Sequence, residues 1–423
     1  MNNPYRTDYP GQGPFYGREF EVTQLLRALR TGRKSIAAVM GGRGMGKTSL
    51  ALRLEDRLRD DANIAVHLLR KPEADPHAFV AQLSGKFGRL IEPQLFTESI
   101  EEAVRAQDAE RTVVLIDEVE NLIIHPAGCK LLENLRIAWE ALLGRLGIVV
   151  FGGSSLRQLL VSDVSPFLRS AQWLPLRGLD RTETAALVRE PCQLDISDDM
   201  VDVLWEQTGG HPLLIQGVME RAMALGQPVT DQLLIAEFAD AQTPKIFKTW
   251  WKNLKPRGQD IYRRLLAHGQ PLGHDRRLAM LGNEPSPWIE VLETTGVARV
   301  HGGETLLRGE AFRAWYEREH AQQAARPETI DVLALDRVPT EQRHEFENTV
   351  VRTTARWSRD RIEYPVTALK SPPARGNDRL LPEQSFQIEL LMALKQRDLL
   401  VEPEPLSVAG RTDLKIRWPE APE

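Results

Sequence analysis

The stretch Ile36-Ala-Ala-Val-Met-Gly41-Gly42-Arg43-Gly44-Met45-Gly46-Lys47-Thr48-Ser49 decides the fold. An apolar run of strand size ends in a glycine-rich loop, and a lysine–threonine pair opens Ser49–Arg59, a segment with helical periodicity. Each residue type has a physical reason. A loop that wraps a polyphosphate with main-chain N–H groups has no room for bulky side chains and needs backbone angles that glycine adopts freely. The following helix presents its positive N-terminal end to the phosphates. Gly41, Gly42, Arg43, Gly44, Met45, Gly46, Lys47, Thr48 and Ser49 are therefore the candidate phosphate-binding residues. Lys47 reaches the β- and γ-phosphates, and the Thr48 hydroxyl ligates Mg²⁺.

Working outward, Val113-Val-Leu-Ile-Asp117-Glu118 is a second apolar run, and it delivers two acids at its carboxyl end. That end is where parallel sheets hold their ligands. Asp117 is placed to hold Mg²⁺ through its water, and Glu118 to polarise an attacking water as general base. Further strand-sized runs are Ile64–Leu69, Ile148–Phe151 and Trp173–Leu176, with a polar helical stretch from His77 to about Arg105. Short apolar runs separated by helices predict an α/β fold with a buried parallel sheet.

With Asp117-Glu118 followed by a strand that ends Gly152-Gly153-Ser154, the chain resembles the AAA+ and STAND branch of P-loop ATPases, including the Orc-like and archaeal ATPases. Four more segments carry the resemblance. Phe15-Tyr16-Gly17-Arg18-Glu19-Phe20-Glu21 is similar to the box that opens such domains beside the adenine, which makes Tyr16 and Arg18 nucleotide-contact candidates. Ser154, with Ser155 as the near alternative, stands at the sensor position that touches the γ-phosphate or the attacking water. Arg169 in Phe167-Leu168-Arg169 stands where an arginine finger acts on a neighbouring subunit. Gly209-Gly210-His211-Pro212 resembles the lid motif that closes over nucleotide, which adds His211 and Pro212. The resemblance implies sheet order 5-1-4-3-2, ATP with Mg²⁺, and ATP-dependent homo-oligomers. Adenine specificity rests on the resemblance alone.

The rest of the chain divides by texture. The expected organisation is a nucleotide-binding domain at 1–177, a helical lid at 178–252, a winged helix at 253–322 and an α+β region at 323–423. Helices at 180–190, 198–208, 212–224 and 230–240 make the lid. Gln259–His268, Arg276–Leu281 and Pro287–Thr295 precede a hairpin of Val297–Val300 and Thr305–Leu307, turned by Gly302-Gly303. That is winged-helix order. Its third helix carries Glu290 and Glu293 and no cation, which opposes insertion into a DNA groove. A packing or autoinhibitory module docked on the ATPase fits better. Lys252, Lys255, Arg257, Arg263, Arg264, Arg276 and Arg277 leave DNA as a partner without sequence specificity. Ala321–Glu328 reads as a linker. Beyond it, Glu389 and Asp413 in Gly410-Arg411-Thr412-Asp413 resemble the front half of a PD-(D/E)xK nuclease fold, which is incomplete here: the second acid and the lysine of that pattern are missing, and Lys415 is too close to Asp413 to fill the role.

The 423 residues carry a net charge of -5, which supplies no global field toward nucleic acid or anionic lipid. Cys129 and Cys192 have no metal-like spacing and read as reduced thiols. The N-terminus lacks an apolar leader, and no run is long enough to span a bilayer. A cytoplasmic protein with no membrane partner is expected. Two function classes follow. One is a nucleotide switch, possible in signalling or antiviral defence, that couples ATP to oligomerisation and to a protein partner or effector, with slow hydrolysis to reset it. The other is a DNA-handling ATPase similar to origin-recognition or transposition helper ATPases, or an ATPase subunit of a nuclease completed by a partner chain.

Overall fold

Five apolar runs meet in one parallel sheet in the computed structural model of the protein. They are β1 (Ile36–Met40), β2 (Ile64–Leu69), β3 (Arg111–Ile116), β4 (Leu146–Gly152) and β5 (Gln172–Pro175). Their spatial order is β2-β3-β4-β1-β5, the 5-1-4-3-2 order expected, and the fold is that of a P-loop NTPase. The structure describes residues 3–324, apart from 6, 8–10, 12, 33, 74, 143, 154–155, 157–165, 192–195, 241, 275 and 278–285, together with 400–403 and 414–417.

The strands are apolar along their whole length because both faces of the sheet are covered. Every residue of β1 and β4 is buried. On one face α1 (Glu19–Thr31) and α2 (Lys47–Arg59) pack Leu25, Leu29, Leu50 and Leu54 against Val39, Val113 and Phe151. On the other, α3 (Pro76–Phe87), α4 (Phe96–Arg105) and the helix Pro126–Ala141 pack Phe79, Phe96, Leu132 and Leu135 against Ile36, Val114, Ile116 and Ile148. The stretch expected to be one polar helix from His77 is thus two, because Gly88 takes a left-handed angle at the end of α3 and a short 3₁₀ turn, Pro93–Leu95, restarts the chain. The register Val39↔Phe151 and Leu115↔Val149 brings the carboxyl ends of β1, β3 and β4 together at one edge.

After the sheet come helices Arg181–Arg189, Asp198–Thr208, Pro212–Leu225 and Asp231–Ala239. The first begins with a capping box between Asp180 and Glu183, and Ser197 and Thr230 cap the second and fourth. Helices Gln242–Asn253, Lys255–His268 and Ser286–Thr295 follow, and then the antiparallel hairpin β6 (Ala298–His301) and β7 (Glu304–Leu307). Gly302 and Gly303 turn it with φ of 59° and 83°. A bridge between Leu272 and Thr305 ties the preceding loop to the hairpin. The helix expected between the last two, Arg276–Leu281, falls largely outside the described residues, so the winged helix stays an expectation.

The linker expected from Ala321 begins inside a helix, Glu310–Ala324. Ala311, Phe312, Trp315 and Tyr316 anchor that helix in the core.

Two compact units result, Met1–His320 and Ala321–Glu423. In the second, β8 (Leu400–Pro403) pairs antiparallel with β9 (Leu414–Arg417), where Lys415 lies. Glu389 and the residues 410–413 lie outside the described residues. Among the described residues no helix is long and apolar enough to cross a membrane.

Candidate functional site

The loop after β1 closes around a cavity of about 600 Å³ lined by Gly42, Arg43, Gly44, Gly46, Lys47, Thr48 and Ser49. Gly44 and Gly46 have φ of 84° and 87°, so both positions demand glycine on backbone grounds. Gly46 is also the residue from which α2 starts. The loop and the first turn of α2 therefore line the cavity at a helix N-terminus, the arrangement that attracts phosphate. Met45 points away into the core and fastens the loop to the sheet.

The polar side chains converge on the same edge. Lys47 Nζ donates to the Gly41 and Gly42 carbonyls at 2.8 and 3.0 Å. Burial lowers its pKa, and the carboxylates of Glu120, Asp117 and Glu118 pull it back up. Thr48 Oγ1 donates to Asp117 Oδ2 at 2.7 Å. The other Asp117 oxygen, Oδ1, is buried without a partner. A hydroxyl and a carboxylate joined in this way, with one orphaned oxygen, form a hard-oxygen donor set that fits Mg²⁺ and its waters. Among the described residues no group of three or more His, Cys, Asp or Glu forms a self-sufficient metal site. Mg²⁺ bound here draws its remaining ligands from phosphate oxygens and water. Glu118 lines the cavity with φ of 54°, a left-handed angle that costs a residue other than glycine roughly 1 kcal/mol.

Other expected contacts sit behind the loop. Arg18 is buried and donates to the Met45 and Arg177 carbonyls at 3.2 and 2.7 Å, with Glu21 as ion partner at 3.4 Å. It braces the loop from its core side. Tyr16 packs against the helical core, where burial and the Glu190 carboxylate raise its phenol pKa. His211 is fully buried, and its Nε2 meets the Arg43 carbonyl at 3.1 Å. Because a carbonyl only accepts, Nε2 carries the proton and Nδ1 is left unpartnered. Pro212, next to it, lines the cavity. Arg169 is exposed on the short helix Pro166–Ser170, away from the cavity lining. Ser154 and Ser155 lie outside the described residues.

Several lining residues had no signal in sequence. Thr294 and Thr295, at the end of helix Ser286–Thr295, reach the loop. The Gly42 N–H donates to the Thr294 carbonyl at 2.7 Å. A Cβ on residue 42 would sit 2.8 Å from that oxygen, so this glycine is needed for the close approach. The two acids of the same helix face inward. Glu290 accepts from Trp173 Nε1. Glu293, also buried, accepts from Val300 N–H at 2.9 Å and pairs with Arg177 at 3.2 Å. Trp250 and Asn253 come from helix Gln242–Asn253, and Thr7, Gly13 and Pro14 from the N-terminal segment. Glu120 and Asn121 were legible in Asp117-Glu118-Val119-Glu120-Asn121, but only the first two acids of that run were used.

Comparison with known proteins agrees with this geometry. Residues 30–160 match the family model described as an AAA domain. Comparison with the curated proteins gives no match. Among solved structures, the Walker-type ATPase of Pyrococcus abyssi aligns with TM-score 0.50 and 17% identity over 71% of this chain and 96% of that one. The Orc1 protein of Aeropyrum pernix in complex with DNA aligns with TM-score 0.42 and 15% identity over 72% and 93%. A STAND protein with a tetratricopeptide repeat sensor from Pyrococcus horikoshii aligns with TM-score 0.33 and 16% identity over 90% and 56%. Only the first of these bears on the fold, which it shares. The loop at Gly41–Thr48, the acids that follow β3 and the sheet order agree with the match of residues 30–160 to an AAA domain, and the fold is that of a P-loop NTPase.

Proposed function

We propose that the protein is an ATP-binding and ATP-hydrolysing switch that its own helix Ser286–Thr295 holds closed. The observation that carries this reading is the Thr294 carbonyl on the Gly42 N–H. A helix C-terminus is the negative end of a dipole, and here it stands where a phosphate would come. Triphosphate and helix end compete for the same corner of the loop. Lys47, now turned to the Gly41 and Gly42 carbonyls, is released to the β- and γ-phosphates when nucleotide enters. Thr48 and Asp117 hold Mg²⁺, and Glu118 activates water. Ser154 senses the γ-phosphate. His211 and Pro212 link the loop to the lid, and Tyr16 and Arg18 support the adenine side. Arg169, exposed, completes the site of a neighbouring copy once the chain opens. Slow hydrolysis resets the closed form, and a protein partner or effector reads the open one.

The DNA-handling alternative draws on the exposed Lys252, Lys255, Arg257, Arg263, Arg264 and Arg276. Against it, the hairpin arginines Arg299 and Arg308 stack on Trp205 at 5.5 and 4.4 Å, and the helix that would enter a groove is docked.

The test is the molar mass of Glu118→Gln in solution, by light scattering, with and without Mg²⁺-ATP. A defined oligomer with ATP only is the expected result. A monomer with ATP bound sinks the oligomeric switch and turns attention to salt-dependent DNA binding.

A further inference from the structure

A nucleotide has a base as well as phosphates, and the cavity has walls that the phosphate loop does not supply. One wall is the N-terminal segment, with Gly11, Gly13 and Pro14. Another is the start of helix Pro212–Leu225, with Leu213 and Gln216. The residues of these two walls carry no charge, so a phosphate gains little against them. Proline, glycine and leucine surfaces suit the flat faces of a base, and a pocket of that kind needs only a few polar groups to fix its ligand. Tyr16 and Arg18, the candidates from the resemblance, are not among the residues that line the cavity.

Two contacts bracket Gln216 along its helix. Toward the loop, Leu213 packs on Gly44, where a Cβ would lie 2.7 Å from the Leu213 Cβ. Away from the loop, the Glu220 carboxylate accepts from the Thr7 hydroxyl at 2.6 Å, and the Glu220 carbonyl accepts from Asn3 Nδ2 at 3.1 Å. With a rise of about 1.5 Å per residue, Gln216 stands about 4.5 Å beyond the residue on the loop and about 6 Å short of the one that holds the N-terminal segment. Positions 213, 216 and 220 share one helix face. A group that continues from the phosphates toward the N-terminal segment therefore passes Gln216. The other polar groups on this side are taken or turned away. Thr7 donates to Glu220, the Trp250 indole N–H is buried, and Asn253 is exposed. Gln216 is partly buried, and among the described residues nothing hydrogen-bonds to its amide.

We infer that Gln216 reads the base: its amide oxygen accepts from the 6-amino group of adenine while its amide N–H donates to N7. An amide carries an acceptor and a donor side by side. The N6–N7 edge of adenine offers a donor and an acceptor to match, and the same edge of guanine offers two acceptors. Against guanine the amide oxygen faces another oxygen, and one hydrogen bond is lost. The inference rests on the ATP-binding reading above and names the residue that makes the site choose adenine over guanine.

Calorimetry on the full chain, in a Glu118→Gln background that prevents turnover, compares the Mg²⁺ complexes of ATP, GTP and inorganic tripolyphosphate. With Gln216 in place, ATP should bind at least about tenfold tighter than GTP, and tighter than tripolyphosphate. Gln216→Met keeps the length and the helix propensity of the side chain but has no amide. It should weaken ATP about tenfold and leave GTP and tripolyphosphate within about threefold, so that the preference disappears. Gln216→Arg presents donors only, and it should turn the ATP-to-GTP ratio toward GTP. A ratio that stays the same in either variant overturns the assignment. An equal loss for all three ligands in Gln216→Met overturns it in favour of a structural role. Equal affinity for ATP and GTP with Gln216 in place also overturns it, as does ATP binding no tighter than tripolyphosphate, and both leave the phosphate site standing. Absence of binding by ATP and tripolyphosphate alike overturns the ATP-binding reading, and the assignment with it.

Discussion

His211 is neutral in the folded protein, and that makes the lid contact sensitive to acid. Burial pushes its imidazole pKa down to about 3, and the Arg18 and Lys47 cations push the same way against the bond to the Arg43 carbonyl. In the unfolded chain the ring titrates near 6.5. Between about 6.5 and 3 the unfolded chain takes up a proton that the folded one refuses. Stability from this group is therefore complete above pH 6.5 and is lost as pH falls toward 3. At roughly 1.4 kcal/mol per pH unit, about 2 kcal/mol is gone by pH 5. His211→Phe keeps a ring against Trp250, 4.3 Å away, but has nothing to protonate. Denaturant unfolding at pH 7.5 and pH 5 should show the wild type losing about 2 kcal/mol more than His211→Phe. Equal losses would mean that the histidine is protonated in the folded state. The sequence marked His211 through its neighbours Gly209, Gly210 and Pro212. It could not mark the partner, because the Arg43 carbonyl belongs to the main chain and carries no residue signature. Glu120 differs, since its acid was visible two places beyond Glu118 while its place in the cavity lining was not.

Elements with local punctuation were legible, and those made by distant contacts were not. Pro212–Leu225 carries proline in its first turn and Gly226 with φ of 60° just after its end, so both limits are written in the chain. β1 is apolar throughout because both its faces are covered. Glu310–Ala324 lacks such marks. Its apolar side chains cluster at 311–316 and its last turn is polar, so that turn reads as linker. Nothing in Ser286–Thr295 announces that its end lies on a loop some 250 residues earlier in the chain. The acids Glu290 and Glu293, awkward for DNA, find their reason in Trp173 and Arg177. This docking is weak enough to yield. Arg177 is 54% exposed, and a partly solvated ion pair contributes about 0–1 kcal/mol. The Thr294–Gly42 hydrogen bond adds about 1 kcal/mol. Arg177→Ala removes the ion pair and leaves its carbonyl for Arg18. In a Glu118→Gln background, which prevents turnover, it should raise ATP affinity in calorimetry by up to about fivefold. Unchanged or weaker affinity would show that the helix does not compete with nucleotide.

At the scale of the whole nucleotide-binding unit, the cores decide which parts can separate. The sheet has its own apolar cluster on each face. A third cluster runs from Leu187 and Val218 in the first helices after the sheet, through Phe247, Trp250 and Tyr262, to Leu292, Phe312 and Trp315. The lid helices and the hairpin region therefore share one core. Backbones meet closely there as well, since a Cβ on Gly209 would lie 2.3 Å from the Gly296 carbonyl. Arg299 and Arg308 add their stacking on Trp205. Parting lid from hairpin would expose several large apolar side chains at about 1.5–3 kcal/mol each. Releasing the helix end from the loop costs an ion pair and a few hydrogen bonds. Opening should thus swing residues 181–320 as one body away from the sheet, about the segment 176–180. Paired spin labels can test this in a chain with Cys129 and Cys192 replaced. Labels at Ile235 and Glu304, both exposed, should keep their distance when ATP is added to Glu118→Gln. Labels at Leu90, exposed on the sheet side, and Glu304 should move apart. A changed distance in the first pair would mean that the hairpin leaves the lid, and the shared core would then not be what sets the hinge.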